Sequence, residues 1–97
     1  MTYRSQALLK AAHRFSCVLC GQVGYTVAAH SNALRHGRGI GHKADDFRVA
    51  FVCGECHDAI DGRVGGLTKE QKRDMWERAH ELTVALWFNE GVVAVKG

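Results

Sequence analysis

The chain has 97 residues, 13 Lys/Arg against 10 Asp/Glu and a formal net charge of +3, a size that suits one domain over residues 1–97 with a small core that benefits from a cross-link. It contains no run of about 18 apolar residues and no N-terminal charge–apolar–small pattern, so no membrane partner or secretory leader is expected and the protein is expected to act in the cytoplasm. Residues 1–48 hold seven Lys/Arg and two Asp, whereas 49–97 hold six Lys/Arg and eight acids; a basic half of this kind suits a phosphate-facing surface, although ordinary solvated charge produces the same imbalance.

Ser5 to His13 is rich in helix formers, with Ser5 as N-cap and Leu8, Ala11 and Ala12 at helical spacing, so a short helix is expected there. Phe15 to Gly21 carries Cys17-Val18-Leu19-Cys20, a turn whose backbone amides can point at the two sulfurs. Tyr25 to Ala29 is a β-prone run that places His30 at a strand end. Residues 31–45 contain three glycines, two Arg, one Lys and two His and read as a basic loop. Phe47 to Val52 is the clearest strand and leads into Cys53-Gly54-Glu55-Cys56, after which Cys56 to Asp61 should open a helix that Gly62 ends, with His57 and Asp61 on one face. Beyond Gly65-Gly66, Thr68 to Gln71 has the form of a capping box that starts a long helix over about 68–90. Its expected buried stripe is Met75, Ala79, Leu82 and Leu86, widened by Trp76 and Ala85, with Trp76, Leu82 and Leu86 packing on the core. Gly91 stops the helix, and Val92 to Val95 offers a last short strand.

The two Cys-x-x-Cys pairs account for all four cysteines. Thiolates bind Zn²⁺ tetrahedrally, and two sulfurs of one turn can reach the same ion, so Cys17, Cys20, Cys53 and Cys56 are expected to form one structural zinc site with knuckles at 17–20 and 53–56. Four sulfurs close such a site and leave no open position for chemistry. Buried free thiols or redox use are the other readings of these residues. Cys53-Gly54-Glu55-Cys56-His57 also matches a haem c attachment motif, which leaves Cys17 and Cys20 unexplained. A zinc knot would hold His57 close to the strand end bearing His30, and two histidines with a nearby carboxylate make a site for a hydrolytic metal, with His30 as general base. The plainer readings are a satisfied buried His30 and a His57 that packs at a helix start.

Ala28-Ala29-His30, the glycine-rich loop, Lys43 to Asp46, the strand after it, Cys53-x-x-Cys56-His57-Asp58-x-x-Asp61-Gly62-Arg63 and the closing Trp87 to Val93 together resemble the YbcO-like nucleases of phages and prophages. That family is similar to HNH endonucleases. The resemblance implies a small α+β fold: a zinc-braced ββα-metal finger, HNH- or treble-clef-like, with an N-terminal helix and a long C-terminal helix. It implies metal-dependent hydrolysis of DNA phosphodiesters in a bacterial host cell. His30 corresponds to the catalytic base, Asp46 to the residue that orients it, and His57 to a ligand of a catalytic Mg²⁺ or Mn²⁺. Ala29 stands where many HNH sites carry a metal-binding Asp. Arg35, Arg38, Lys43, Arg48 and Arg63 supply candidate phosphate contacts, which position a duplex without reading its sequence. A homodimer or a recombination or repair protein as recruiting partner stays open. So does a catalytically inactive treble-clef zinc module that binds nucleic acid or a protein.

Overall fold

The computed structural model describes residues 3–31 and 45–94, with elements in the order α1 (Gln6–Ala11), β1 (Thr26–His30), β2 (Val49–Cys53), α2 (Gly54–Asp61) and α3 (Lys69–Asn89). The expected α+β fold is present, with the two strands and α2 forming a ββα unit between the N-terminal helix and the long C-terminal one.

Ser5 caps α1, its Oγ accepting from the Leu8 amide at 3.2 Å, and a single 3-10 turn over Ala12–Arg14 continues the helix and buries Ala12. β1 and β2 pair antiparallel with Thr26 opposite Cys53 and His30 opposite Val49. All five residues of β2 are buried, because both of its faces are covered. Side chains alternate along a strand, so Val49 and Phe51 enter a core with Leu8, Ala11, Ala12 and Trp87, while Ala50 and Val52 enter a second core with Cys17, Ala29, Ile60, Trp76 and Ala79. Phe51 is gripped on the first side by Phe15, stacked at 6.4 Å, and by Trp87, edge-on at 5.7 Å.

The edge of β2 away from β1 is closed by side chains and by the first cysteine turn. The Phe51 amide donates to Thr83 Oγ1 at 2.9 Å, and that hydroxyl donates to the Ala79 carbonyl at 2.7 Å. His80 Nδ1 lies 2.7 Å from the Val49 carbonyl, and the Phe51 carbonyl accepts from the Val18 amide at 3.1 Å. An exposed strand edge invites pairing with other chains, and here its polar groups are occupied.

The capping box of α3 forms in both directions, with the Gln71 amide 3.0 Å from Thr68 Oγ1 and the Thr68 amide 2.8 Å from Gln71 Oε1. Its buried face keeps Trp76 and Ala79 of the expected stripe but continues through Thr83 and Trp87, while Met75, Leu82 and Leu86 are half-buried and Ala85 is exposed. The helix turns that way because it crosses the β2 edge. Thr83 has to meet the Phe51 amide, which carries Trp76 to one core and Trp87 to the other. Residues 92–94 form no strand; Gly91 adopts a left-handed φ of +73°, the Val93 amide returns to the Trp87 carbonyl at 3.1 Å, and Val92 and Val93 pack beneath Trp87. No helix among the described residues is long and apolar enough to cross a membrane.

Candidate functional site

The four cysteines meet where the first turn, the end of β2 and the first turn of α2 come together. The Cys17–Cys20 turn is closed by the Cys17 amide bonding the Gln22 carbonyl and the Gly21 amide bonding the Cys17 carbonyl, each at 2.9 Å, and Gly21 takes the left-handed φ of +80° that this return needs. Cys53 is both the last residue of β2 and the N-cap of α2, which puts Cys56 one turn along on the same side. The four Sγ atoms lie within 4.8 Å of one another, with Cys17–Cys56 at 3.8 Å and Cys20–Cys53 at 3.6 Å. A tetrahedron with 2.3 Å metal–sulfur bonds has edges of about 3.8 Å. The separations fit that figure, and all four thiols are free rather than joined as disulfides.

Burial opposes ionisation of Cys17, yet hydrogen bonds from the backbone of Cys20, Cys53 and Leu19 outweigh it and bring this thiol down to about 6. Burial, followed by the neighbouring Cys53 and Cys17 thiols, pushes Cys56 well above its ordinary 9.0. Soft sulfur donors held this close require either protons or a thiophilic cation between them, which fits a structural metal such as zinc.

A second constellation is assembled at the other end of the sheet. His30, the last residue of β1, places Nε2 2.9 Å from Asp46 Oδ1. Asp46 is 3% exposed and receives two further donors from the N-terminal stretch, the Ser5 amide at 2.6 Å and Arg4 Nη1 at 3.0 Å. The Tyr3 backbone completes the strap, its amide bonding Asp45 Oδ1 at 2.9 Å and its carbonyl accepting from the Asp46 amide at 3.0 Å. Burial works against the Asp46 carboxylate, but His30, the Ser5 amide and Arg4 together hold it below its ordinary 3.8. An ionised carboxylate can only accept, so His30 Nε2 carries the hydrogen of this contact, which leaves the lone pair on Nδ1 whenever the ring is neutral.

His57 stands on α2 with Nε2 3.0 Å from Asp61 Oδ2, one turn further along the same face. Among the described residues the cysteines are the one group of three or more His, Cys, Asp or Glu donors close enough to hold an ion. His30–Asp46 and His57–Asp61 are therefore separate pairs rather than members of one such group.

Residues 11–92, which contain the four cysteines, His30, Asp46 and His57, match the family described as "Putative nuclease YbcO". The chain belongs to the YbcO family. Neither a curated protein nor a solved structure matches it.

In this YbcO chain the residues that clamp Asp46, Arg4 and Ser5, lie outside the matched segment. Sequence reasoning marked Ser5 only as a helix cap and did not single out Arg4; the contacts of both with Asp46 span 41 and 42 positions, which no local pattern records. Of the candidate phosphate contacts, Arg35, Arg38 and Lys43 lie outside the described residues. Arg48 places its guanidinium 5.2 Å from the centre of the Phe47 ring. Arg63 is engaged by its own helix end, 3.1 Å from Asp58 Oδ1 and 3.6 Å from Asp61 Oδ2.

Proposed function

We propose that the chain is an HNH-like, metal-dependent DNA endonuclease of phage or prophage origin, acting as one domain in the bacterial cytoplasm. The observation that carries this reading is the 2.9 Å contact between His30 Nε2 and a clamped, ionised Asp46, in a member of a nuclease family. Asp46 fixes the ring orientation and the tautomer of His30, so Nδ1 is the atom that takes a proton from the attacking water. Such base catalysis is typically worth about 10²- to 10⁴-fold in rate. The imidazolium formed in that step is stabilised by the same carboxylate.

His57 and Asp61 are the residues that would hold a catalytic Mg²⁺ or Mn²⁺. A bound divalent ion supplies stabilisation of the charge that develops on the scissile phosphate. Arg35, Arg38, Lys43 and Arg48 contact the flanking phosphates, while Arg63 serves mainly to fasten Asp58 and Asp61. The four-cysteine zinc braces the fold and takes no part in hydrolysis. One observation favours a second reading, a zinc module that binds nucleic acid or a protein without cutting: neither histidine pair has a third donor among the described residues, and Ala29 brings no carboxylate.

Plasmid nicking with added Mg²⁺ or Mn²⁺ separates the two. His30→Ala is expected to lose about 10²- to 10⁴-fold in rate while keeping its zinc and its DNA affinity. His57→Ala is expected to raise the concentration of divalent ion needed. A wild type that binds DNA and never cuts it with any divalent ion, or a His30→Ala chain that cuts as fast as wild type, overturns the endonuclease reading in favour of the zinc module.

A further inference from the structure

A groove that the proposed hydrolysis does not use is lined in part by Phe47, the residue that follows Asp46. It has a volume of about 330 Å³, and among the residues that line it are Tyr3, Phe47, His80, Val84, Trp87 and Phe88. Three of these aromatic rings are open to solvent, with Tyr3 50%, Phe47 39% and Phe88 51% exposed. Tyr3 and Phe47 sit with ring centres 5.8 Å apart, and the Arg48 guanidinium lies over Phe47.

The charge beside the groove sets its ligand apart from a plain apolar segment. The Arg48 guanidinium stands over the Phe47 ring at 5.2 Å, so a cation borders the exposed aromatic faces. An aromatic slot with an arginine beside it has the chemistry of a nucleobase site: faces to stack on and a charge to neutralise the adjoining phosphate.

The groove is also tied to the candidate active site by the chain itself. Phe47 is the residue after Asp46, and the Tyr3 backbone is bonded to Asp45 Oδ1 and to the Asp46 amide at 2.9 and 3.0 Å. We infer that the groove formed by Tyr3, Phe47, His80, Trp87 and Phe88 holds an unpaired base of a DNA strand and presents the adjoining phosphate to His30. This rests on the endonuclease reading for its purpose. It makes the substrate a strand with at least one unstacked nucleotide, such as a single-stranded segment or junction, rather than uninterrupted duplex.

The test measures binding apart from cutting. Zinc-loaded protein without added Mg²⁺ or Mn²⁺ is titrated with a fluorescein-labelled single-stranded DNA oligonucleotide and with the same sequence as a duplex, following anisotropy and the quenching of tryptophan fluorescence. Wild type is expected to prefer the single strand. Tyr3→Leu and Phe47→Leu keep apolar bulk and remove a stacking face, and each is expected to weaken single-strand binding about tenfold while duplex binding stays within twofold. The bonds from Tyr3 to Asp45 and Asp46 are made by its backbone, so Tyr3→Leu leaves that strap in place.

Equal loss of single-strand and duplex binding in these variants, or no loss at matched zinc content and melting temperature, overturns the inference. So does a shift from dimer to monomer in Phe47→Leu by analytical ultracentrifugation, which would make the groove a contact between copies of this chain. A protein that prefers single strands through these rings and yet never nicks DNA would sink the endonuclease reading and leave the base site standing.

Discussion

Replacing Asp46 by alanine should destabilise the protein much more than removing its most exposed partner. The carboxylate is 3% exposed and has three donors: Arg4, the Ser5 amide and His30. The Arg4 side chain is 47% exposed, so its ion pair with Asp46 is worth at most about 1 kcal/mol. The Ser5 amide, at the start of α1, and the His30 ring, whose side chain is 17% exposed, are less open to water. Hydrogen bonds to a charged group are each worth about 1.5–3 kcal/mol, and with partial rehydration of both donors the loss for Asp46→Ala comes to about 2–4 kcal/mol. For a domain of this size that is a fall in Tm of roughly 10–25 °C, whereas Arg4→Ala should stay within about 1 kcal/mol. Urea denaturation of the zinc-loaded proteins at neutral pH measures both. The pH dependence gives an independent check. Asp46 is held below its ordinary 3.8, so its contribution is complete above about pH 4 to 5 and is lost as the pH falls through the lower folded value. Zinc release at acid pH affects every variant, so the informative quantity is the wild-type minus Asp46→Ala difference, which should shrink below pH 4. An Asp46→Ala protein within about 0.5 kcal/mol of wild type at neutral pH would refute the clamp as described.

Two further outcomes follow from the metal knot and from the β2 edge. Freshly purified protein should contain one zinc per chain, and Cys56→Ser or prolonged chelation should unfold it, because binding energy at such a site is folding energy; elemental analysis with far-UV circular dichroism reads both, and folded zinc-free protein would contradict the assignment. Thr83→Val removes the acceptor of the buried Phe51 amide and should cost about 1–3 kcal/mol, with Thr83→Ser recovering most of it, as read by thermal denaturation.

Much of this architecture was legible because its signals are local. The spacing of Cys17, Cys20, Cys53 and Cys56 announced a common site, the Thr68–Gln71 pair announced the start of α3, and the apolar run from Phe47 to Val52 announced a strand, though not that both of its faces are covered. What sequence left open depends on contacts between distant segments. Trp76 and Ala79 lie on the expected stripe, but the choice of Thr83 and Trp87 over Leu82 and Leu86 is made by the Phe51 amide, which no helical periodicity records. Val92 and Val93 have the composition of a strand but serve as a floor beneath Trp87. At the candidate site, His30 was marked by its place at a strand end and Asp46 by family resemblance. In the strap from Tyr3 to Ser5 that fixes Asp46, the sequence marked Ser5 as a helix cap but carried no sign of its contact with Asp46.

The closed outer edge of β2 limits how this protein can associate. With the Phe51 amide, the Phe51 carbonyl and the Val49 carbonyl all engaged, that side offers no template on which another extended chain could continue the ladder. On β1, the Thr26 carbonyl lies 3.1 Å from His13 Nδ1. Fibril growth by strand stacking from β2 therefore first requires both α3 and the Cys17–Cys20 turn to lift away, so resistance to cross-β aggregation should track the free energy of opening them together.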